Sequence, residues 1–214
     1  MRVAIIRFLG TNCEFDTAYA FEKLGVKAQI IWHEDEKFEA DLVVLPGGFS
    51  YGDYLRSGAI AKFAKAMRGV LAHAKKGGFV LGICNGFQIL LELGLLKGAM
   101  KHNEKLSFIS KNQPLKVASN DNALCKNFAK GEVINLPIAH GDGNFFANER
   151  DLAFLQDKDL ITLQYVGNPN GSLDDIAGIC DESKKIYGLM PHPERVCEDI
   201  LGTSVGLTML KGFL

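Results

Sequence analysis

The first half of the chain repeats one unit, a short aliphatic run without alternation followed by a stretch of helical spacing. Val3–Ile6 leads into Phe15–Leu24, Ala28–Trp32 stands alone, Leu42–Leu45 leads into Ile60–Lys75, and Phe79–Ile83 leads into Phe87–Leu95. A run such as LVVL, apolar at every position, suits a strand covered on both faces, and the helices that cover it are the crossovers joining parallel strands. An α/β fold around a parallel sheet follows. Beyond Leu106 the pattern changes: Pro114–Ala118, Val133–Ile138 and Phe145–Ala147 read as shorter, partly antiparallel strands. Glu149–Leu155 reads as a short helix, Ile161–Val166, Ile176–Cys180 and Ile186–Met190 as closing strands, and Ser204–Phe213 as a last helix. The sheet is therefore expected to be mixed. With no internal repeat and no linker of biased composition, residues 1–214 are expected to form one domain.

Charge and cysteine usage narrow the setting. Lys plus Arg number 24 against 25 Asp plus Glu, a formal net charge of -1, so the broad positive field that nucleic-acid binding needs is missing. Gly78–Leu96 is apolar enough to suggest a membrane span, but Asn85, Gln88 and Glu92 lie inside it, and burying them in lipid is costly. A strand followed by a helix explains that stretch, and no membrane association is expected. The five cysteines are odd in number and scattered, and Arg2 and Arg7 bracket only four apolar residues where a leader would need a longer run. A reducing cytoplasm is the expected location, with each thiol either a small core hydrophobe or a reactive group.

One of those thiols has a distinctive setting. In VLGICNGFQ, Val80–Gln88, an apolar strand runs through Gly82, Cys84 and Gly86 into a helix. Glycine two residues to either side of a nucleophile marks a tight strand-to-helix turn, where side chains at those positions would clash and the thiol is left at the strand's carboxyl end. The helix N-terminus there favours the thiolate. The competing reading is a structural cysteine between packing glycines. Cys13, in GTNCEFD, also sits near a helix start, but no glycine follows it and no base is indicated.

A base is offered further on, in MPHPER, Met190–Arg195. Pro193 biases His192 toward extended geometry, so that His192 and Glu194 would share a face, as a base and its orienting carboxylate do. The same His-x-Glu occurs in zinc deaminases, but the accompanying P-C-x-x-C is absent, so no metal site is expected. Gly47 and Gly48, in VLPGGFSYGDYLRSG, follow a buried strand and can present backbone N–H groups; Gly48 and Asn85 together would make an oxyanion hole. A plain Gly-Gly turn is the alternative. No GxxxxGK[ST] or GxGxxG is present, so nucleotide is not expected to bind here. PIAHGDGNFF, Pro137–Phe146, places His140 and Asp142 in another glycine loop, read as contacting substrate or partner in preference to a second acid/base pair.

GICNGFQ with MPHPER, joined by GGFSYGDYLRSG, HGDGNF and NPNGS, resembles the class I (triad) glutamine amidotransferases, and among them the glutaminase subunits of phosphoribosylformylglycinamidine synthase, over essentially the whole chain. Leu9 stands where that family usually has proline, and Asp142 where it usually has glutamate. The resemblance implies a flavodoxin-like three-layer sandwich. It implies Cys84 as nucleophile, His192 as general base and acid, Glu194 as orienting carboxylate, and glutamine hydrolysed to glutamate and ammonia through a thioester. Gln88, His140 and Asn144 are candidate substrate contacts. The ammonia would pass to a PurL-like synthetase, which would hold ATP and magnesium, with a small PurS-like subunit completing the complex for purine synthesis; no cofactor is expected on this chain. Rival readings are another class I amidotransferase, a stand-alone cysteine amidase, or a non-enzymatic thiol sensor.

Overall fold

The computed structural model describes residues 1–214. Its first half follows the strand and helix rhythm: β1 (Val3–Arg7), α1 (Glu14–Lys23), β2 (Ala28–Trp32), β3 (Leu42–Leu45), α2 (Ala66–Lys75), β4 (Phe79–Ile83) and α3 (Asn85–Glu92). The second half contributes β5 (Ala99–Lys101), β6 (Ile109–Val117), β7 (Val133–His140), β8 (Asn144–Phe146), α4 (Glu149–Asp157), β9 (Ile161–Tyr165), β10 (Ile176–Cys180), β11 (Ile186–Leu189) and α5 (Val205–Leu210). Nine strands form one sheet in the order β2-β1-β3-β4-β11-β10-β9-β6-β7. Every pairing from β2 to β11 is parallel, and every pairing from β11 to β7 is antiparallel. The sheet is mixed, as the sequence predicts, and β11 is the seam.

Apolarity at every position of β3 has the expected cause: all four residues are fully buried. A cluster of 53 buried apolar residues fills the two faces of the sheet, each large aliphatic contributing about 1.5–3 kcal/mol on burial. Gly78–Leu96 resolves into β4 and α3, and no helix is long and apolar enough to cross a membrane. All five cysteines are free and buried. Burial pushes the Cys125 and Cys180 thiols up to about 12, so both behave as small core hydrophobes.

The strand expected over Pro114–Ala118 starts five residues earlier, at Ile109, where pairing with β7 carries it on, and two further elements differ from the sequence reading. Ile60–Lys75 is not one helix: a 3₁₀ turn over Ala61–Phe63 ends at Ala64, which is extended, and α2 begins at Ala66. The Ala66 N–H donates to the His33 carbonyl at 2.9 Å, a tertiary bond that starts the helix where local spacing gives no boundary. The strand β5 has no strand-like alternation of its own; it exists by pairing antiparallel with β8, Ala99 opposite Phe146 and Lys101 opposite Asn144.

Candidate active site

Cys84 joins β4 to α3 with φ 50° and ψ -104°, a conformation that costs a non-glycine residue about 1–3 kcal/mol. Surrounding bonds hold it there. Its N–H donates to the Leu189 carbonyl at 2.7 Å, while its own carbonyl accepts from the N–H groups of Phe87 at 3.0 Å and Gln88 at 3.2 Å. The flanking glycines are required sterically: a Cβ at Gly82 would stand 2.6 Å from the Gly86 backbone, and one at Gly86 would stand 1.9 Å from the Leu45 carbonyl oxygen. Strain of this kind, fixed by its surroundings, is what a nucleophile elbow consists of.

β11 runs parallel to β4, with Leu189 beside Ile83, so the segment leaving β11 emerges next to Cys84. His192 is anchored by its N–H, which donates to the Pro137 carbonyl at 2.8 Å. Its Nδ1 lies 2.6 Å from Glu194 Oε1, both side chains being fully buried. The carboxylate accepts, so Nδ1 carries the hydrogen, and Nε2 has no partner. Burial pulls the imidazole's affinity for a proton down; Glu194 above all, with the Cys84 and Cys13 thiols, more than offsets this and holds its pKa well above the usual histidine range. The backbone differs from the extended geometry expected. Pro193–Arg195 forms a 3₁₀ turn, and the turn folds the Glu194 carboxylate back onto the ring.

A cleft of about 140 Å³ opens at Cys84, bordered by Gly48, Phe49, Gln88 and Phe108 and by the carboxylates of Asp53 and Asp142. The N–H groups of Gly48 and Asn85 donate to no protein acceptor and are available to an oxyanion. Gly48 itself is pressed against the chain at Gly10–Asn12, where a Cβ would meet Thr11 Cα at 2.7 Å. Asn85 uses its side chain to brace the loop: its Oδ1 accepts from Ser50 N–H at 3.0 Å, and its Nδ2 donates to Asp53 at 3.2 Å and Gln88 Oε1 at 2.8 Å. Gln88 borders the cleft with its amide already engaged, Nε2 donating to the Asp142 carbonyl at 2.7 Å. Burial, with Asp142 nearby, pushes the Asp53 carboxyl up to about 6.

His140 also lines the cleft. Asn103 Oδ1 lies 3.1 Å from His140 Nδ1 while accepting from Gly143 N–H at 3.0 Å, so Nδ1 carries the hydrogen and Nε2 is an unpartnered acceptor. Asp142 does not pair with it; it accepts from Ser57 Oγ at 2.6 Å and faces His102 Nδ1 at 2.5 Å. Burial pulls the His140 pKa down to about 4. A histidine disfavoured as a cation in the fold takes up its proton more readily unfolded, so its contribution to stability is lost as pH falls from about 6.5 toward 4. His140→Gln should therefore flatten the fall in melting temperature across that window; equal slopes for both proteins would contradict the assignment.

Two expectations need correcting. Asn144 is not in the cleft: it lies on β8 opposite Lys101, with its Nδ2 directed toward Gly171, because pairing with β5 turns it away. Cys13 does have a base beside it. Its sulfur lies within 4.8 Å of ligand atoms of His192 and Glu194 and accepts from Arg195 Nη2 at 3.1 Å. That proximity, made by α1 packing beside the segment after β11, had no signal in the local sequence. The three groups have the donor types of a metal site, but Arg195 already occupies the sulfur and Glu194 the Nδ1. Asn103 was likewise missed, since nothing in KHNEK distinguishes it from a loop asparagine.

The chain resembles known proteins over nearly its whole length. The family model of the CobB/CobQ-like glutamine amidotransferase domain matches residues 1–205. A phosphoribosylformylglycinamidine synthase subunit PurQ of Campylobacter jejuni is 76% identical over 214 residues, covering 100% of this chain and 96% of the relative. One from Helicobacter hepaticus is 56% identical, covering 100% and 97%. Among solved structures, a chain of PurLQS from Thermotoga maritima superposes with a TM-score of 0.92 at 40% identity, covering 99% of this chain and 96% of that one. A second glutamine amidotransferase from Thermotoga maritima, at 18% identity and TM-score 0.65 over 100% and 96%, shares the fold. The chain belongs to the CobB/CobQ-like glutamine amidotransferase domain family and, within it, to the family of PurQ subunits of phosphoribosylformylglycinamidine synthase.

Proposed function

We propose that this chain is the glutaminase subunit of a phosphoribosylformylglycinamidine synthase, releasing ammonia from glutamine for an ATP-dependent partner in purine synthesis. The observation that carries this is the strained Cys84 turn opening on a cleft beside the buried His192–Glu194 pair. Cys84 Sγ attacks the side-chain amide carbon of glutamine, its proton passing to His192 Nε2. The carbonyl oxygen gains the negative charge and is held by the Gly48 and Asn85 N–H groups. His192 returns the proton to the departing nitrogen, the C–N bond breaks, and ammonia leaves a γ-glutamyl thioester on Cys84. Water then loses a proton to His192 and attacks the thioester carbon, and collapse of that adduct frees glutamate and the thiol. Glu194 keeps Nδ1 protonated throughout. Asp53 and Asp142, with no Lys or Arg among the cleft residues, give the cleft a negative wall suited to the α-ammonium of an amino acid.

The same proposal places ATP and magnesium on the synthetase, adds a small third subunit, and locates the complex in the cytoplasm. An uncoupled glutaminase would lose its ammonia to protonation in solvent, so the isolated chain should hydrolyse glutamine slowly. Adding the synthetase with its acceptor and nucleotide should raise kcat more than it lowers KM, because docking that fixes the Gly47–Gly48 loop holds the Gly48 N–H on the oxyanion, a donor used mainly in the transition state and worth about 10² to 10³ in rate. Steady-state ammonia release with and without the partner tests this. A fully active isolated chain, indifferent to the synthetase, would favour a stand-alone amidase.

A further inference from the structure

Arg195 follows the orienting carboxylate directly, and Glu194 Oε2 is buried without a partner. An Arg–carboxylate pair is the strongest contact available to a guanidinium, yet Arg195 directs Nη2 to Cys13 Sγ at 3.1 Å instead. Cys13 is held to receive it. Its N–H donates to the Gly47 carbonyl at 3.2 Å, its carbonyl accepts from Thr17 Oγ1 at 2.7 Å, and its Sγ points a hydrogen at Asn12 Oδ1 at 3.1 Å. With the thiol hydrogen engaged by Asn12, the sulfur lone pairs are left for Arg195. Gly47 permits the approach: a Cβ there would stand 2.7 Å from His192 Cε1 and 3.1 Å from Cys13 Sγ.

We propose that Cys13 is a positioning residue for the triad, its sulfur holding the Arg195 guanidinium off the free oxygen of Glu194 so that the carboxylate's charge stays committed to His192. This rests on the glutaminase reading of Cys84, His192 and Glu194. Without the sulfur, Arg195 turns to Glu194, the carboxylate attracts the imidazolium less, and His192 gives up its proton at lower pH. The charged and titratable groups acting on the imidazole are Glu194 from its own turn, Cys84 from the start of α3, Cys13 from the start of α1 and His140 from β7, with Arg195 next to Cys13 and Glu194.

The test is an NMR titration of the His192 Cε1–H in the full chain, alongside the pH profile of ammonia release. In Cys13→Ala the imidazole pKa and the alkaline limb of kcat/KM should both fall by about one unit, and kcat by about tenfold with KM nearly unchanged. Cys13→Ser, which keeps an acceptor for Arg195, should stay close to wild type. The double variant Cys13→Ala/Arg195→Gln should regain the wild-type imidazole pKa, since the competing charge is gone. An unmoved imidazole in Cys13→Ala, or a double variant as shifted as the single, would overturn the proposal and leave Cys13 as packing. The titration reads Cys13 even if the wild-type chain released no ammonia with the synthetase, its acceptor and nucleotide present, an outcome that would instead sink the glutaminase reading.

Discussion

Cys84→Ala should lower glutamine hydrolysis to background, a loss of at least about 10⁴-fold, because removing the nucleophile abolishes the thioester route and leaves only binding and the oxyanion donors. Cys125→Ala, Cys180→Ala and Cys197→Ala should retain activity. The first two thiols are pushed to about 12 by burial in the core, and Cys197 is raised by burial with Glu198 nearby. None of the three borders the cleft. A glutamine-mimicking electrophile should therefore label Cys84 alone, read by peptide mass spectrometry. An adduct on Cys13, or turnover surviving in Cys84→Ala, would remove Cys84 from its role.

His192→Asn should be nearly as damaging, about 10³-fold or more, while Glu194→Gln should leave a measurable residue of activity. In the proposed mechanism His192 moves a proton in both halves of the reaction, and His140 is a poor substitute because burial pulls its pKa down to about 4. Glu194 transfers nothing in that mechanism. A glutamine at that position can still accept from Nδ1 through its amide oxygen, keeping the tautomer while losing the charge. Single-turnover acylation with both variants checks the order. Should Glu194→Gln prove the more severe, Glu194 would need a direct proton-transfer role.

Most of the frame was legible because the buried strands carry their burial in their composition. Leu42–Leu45 and Phe79–Ile83 are apolar throughout and fall on β3 and β4 to the residue. Cys84 was legible for a similar reason, since Gly82 and Gly86 are imposed by backbone contacts a few residues away. Groups placed by distant packing were not. Cys13 meets Arg195 across 182 positions, and Asn103 serves His140 across 37; neither has a local pattern to betray it. Asn144 shows the converse error. A polar residue in a glycine loop suggested a substrate contact, and a strand pairing that the sequence does not advertise turned it away.

The seam in the sheet also sets an order of assembly. β11 is inserted between β4 and β10 although it comes last of all the strands in the chain. During synthesis the edge of β4 thus stays unpaired while about a hundred further residues are made, roughly 5 to 20 s at the usual elongation rate. That edge is an open template for mispairing. Cys84 is made early, but the Leu189 carbonyl that holds its turn and the proposed base His192 both arrive with the closing strand, so under the proposed mechanism the chain has no means of hydrolysing glutamine until its sheet is complete. Catalytic competence reports that the final long-range strand pairing has been made.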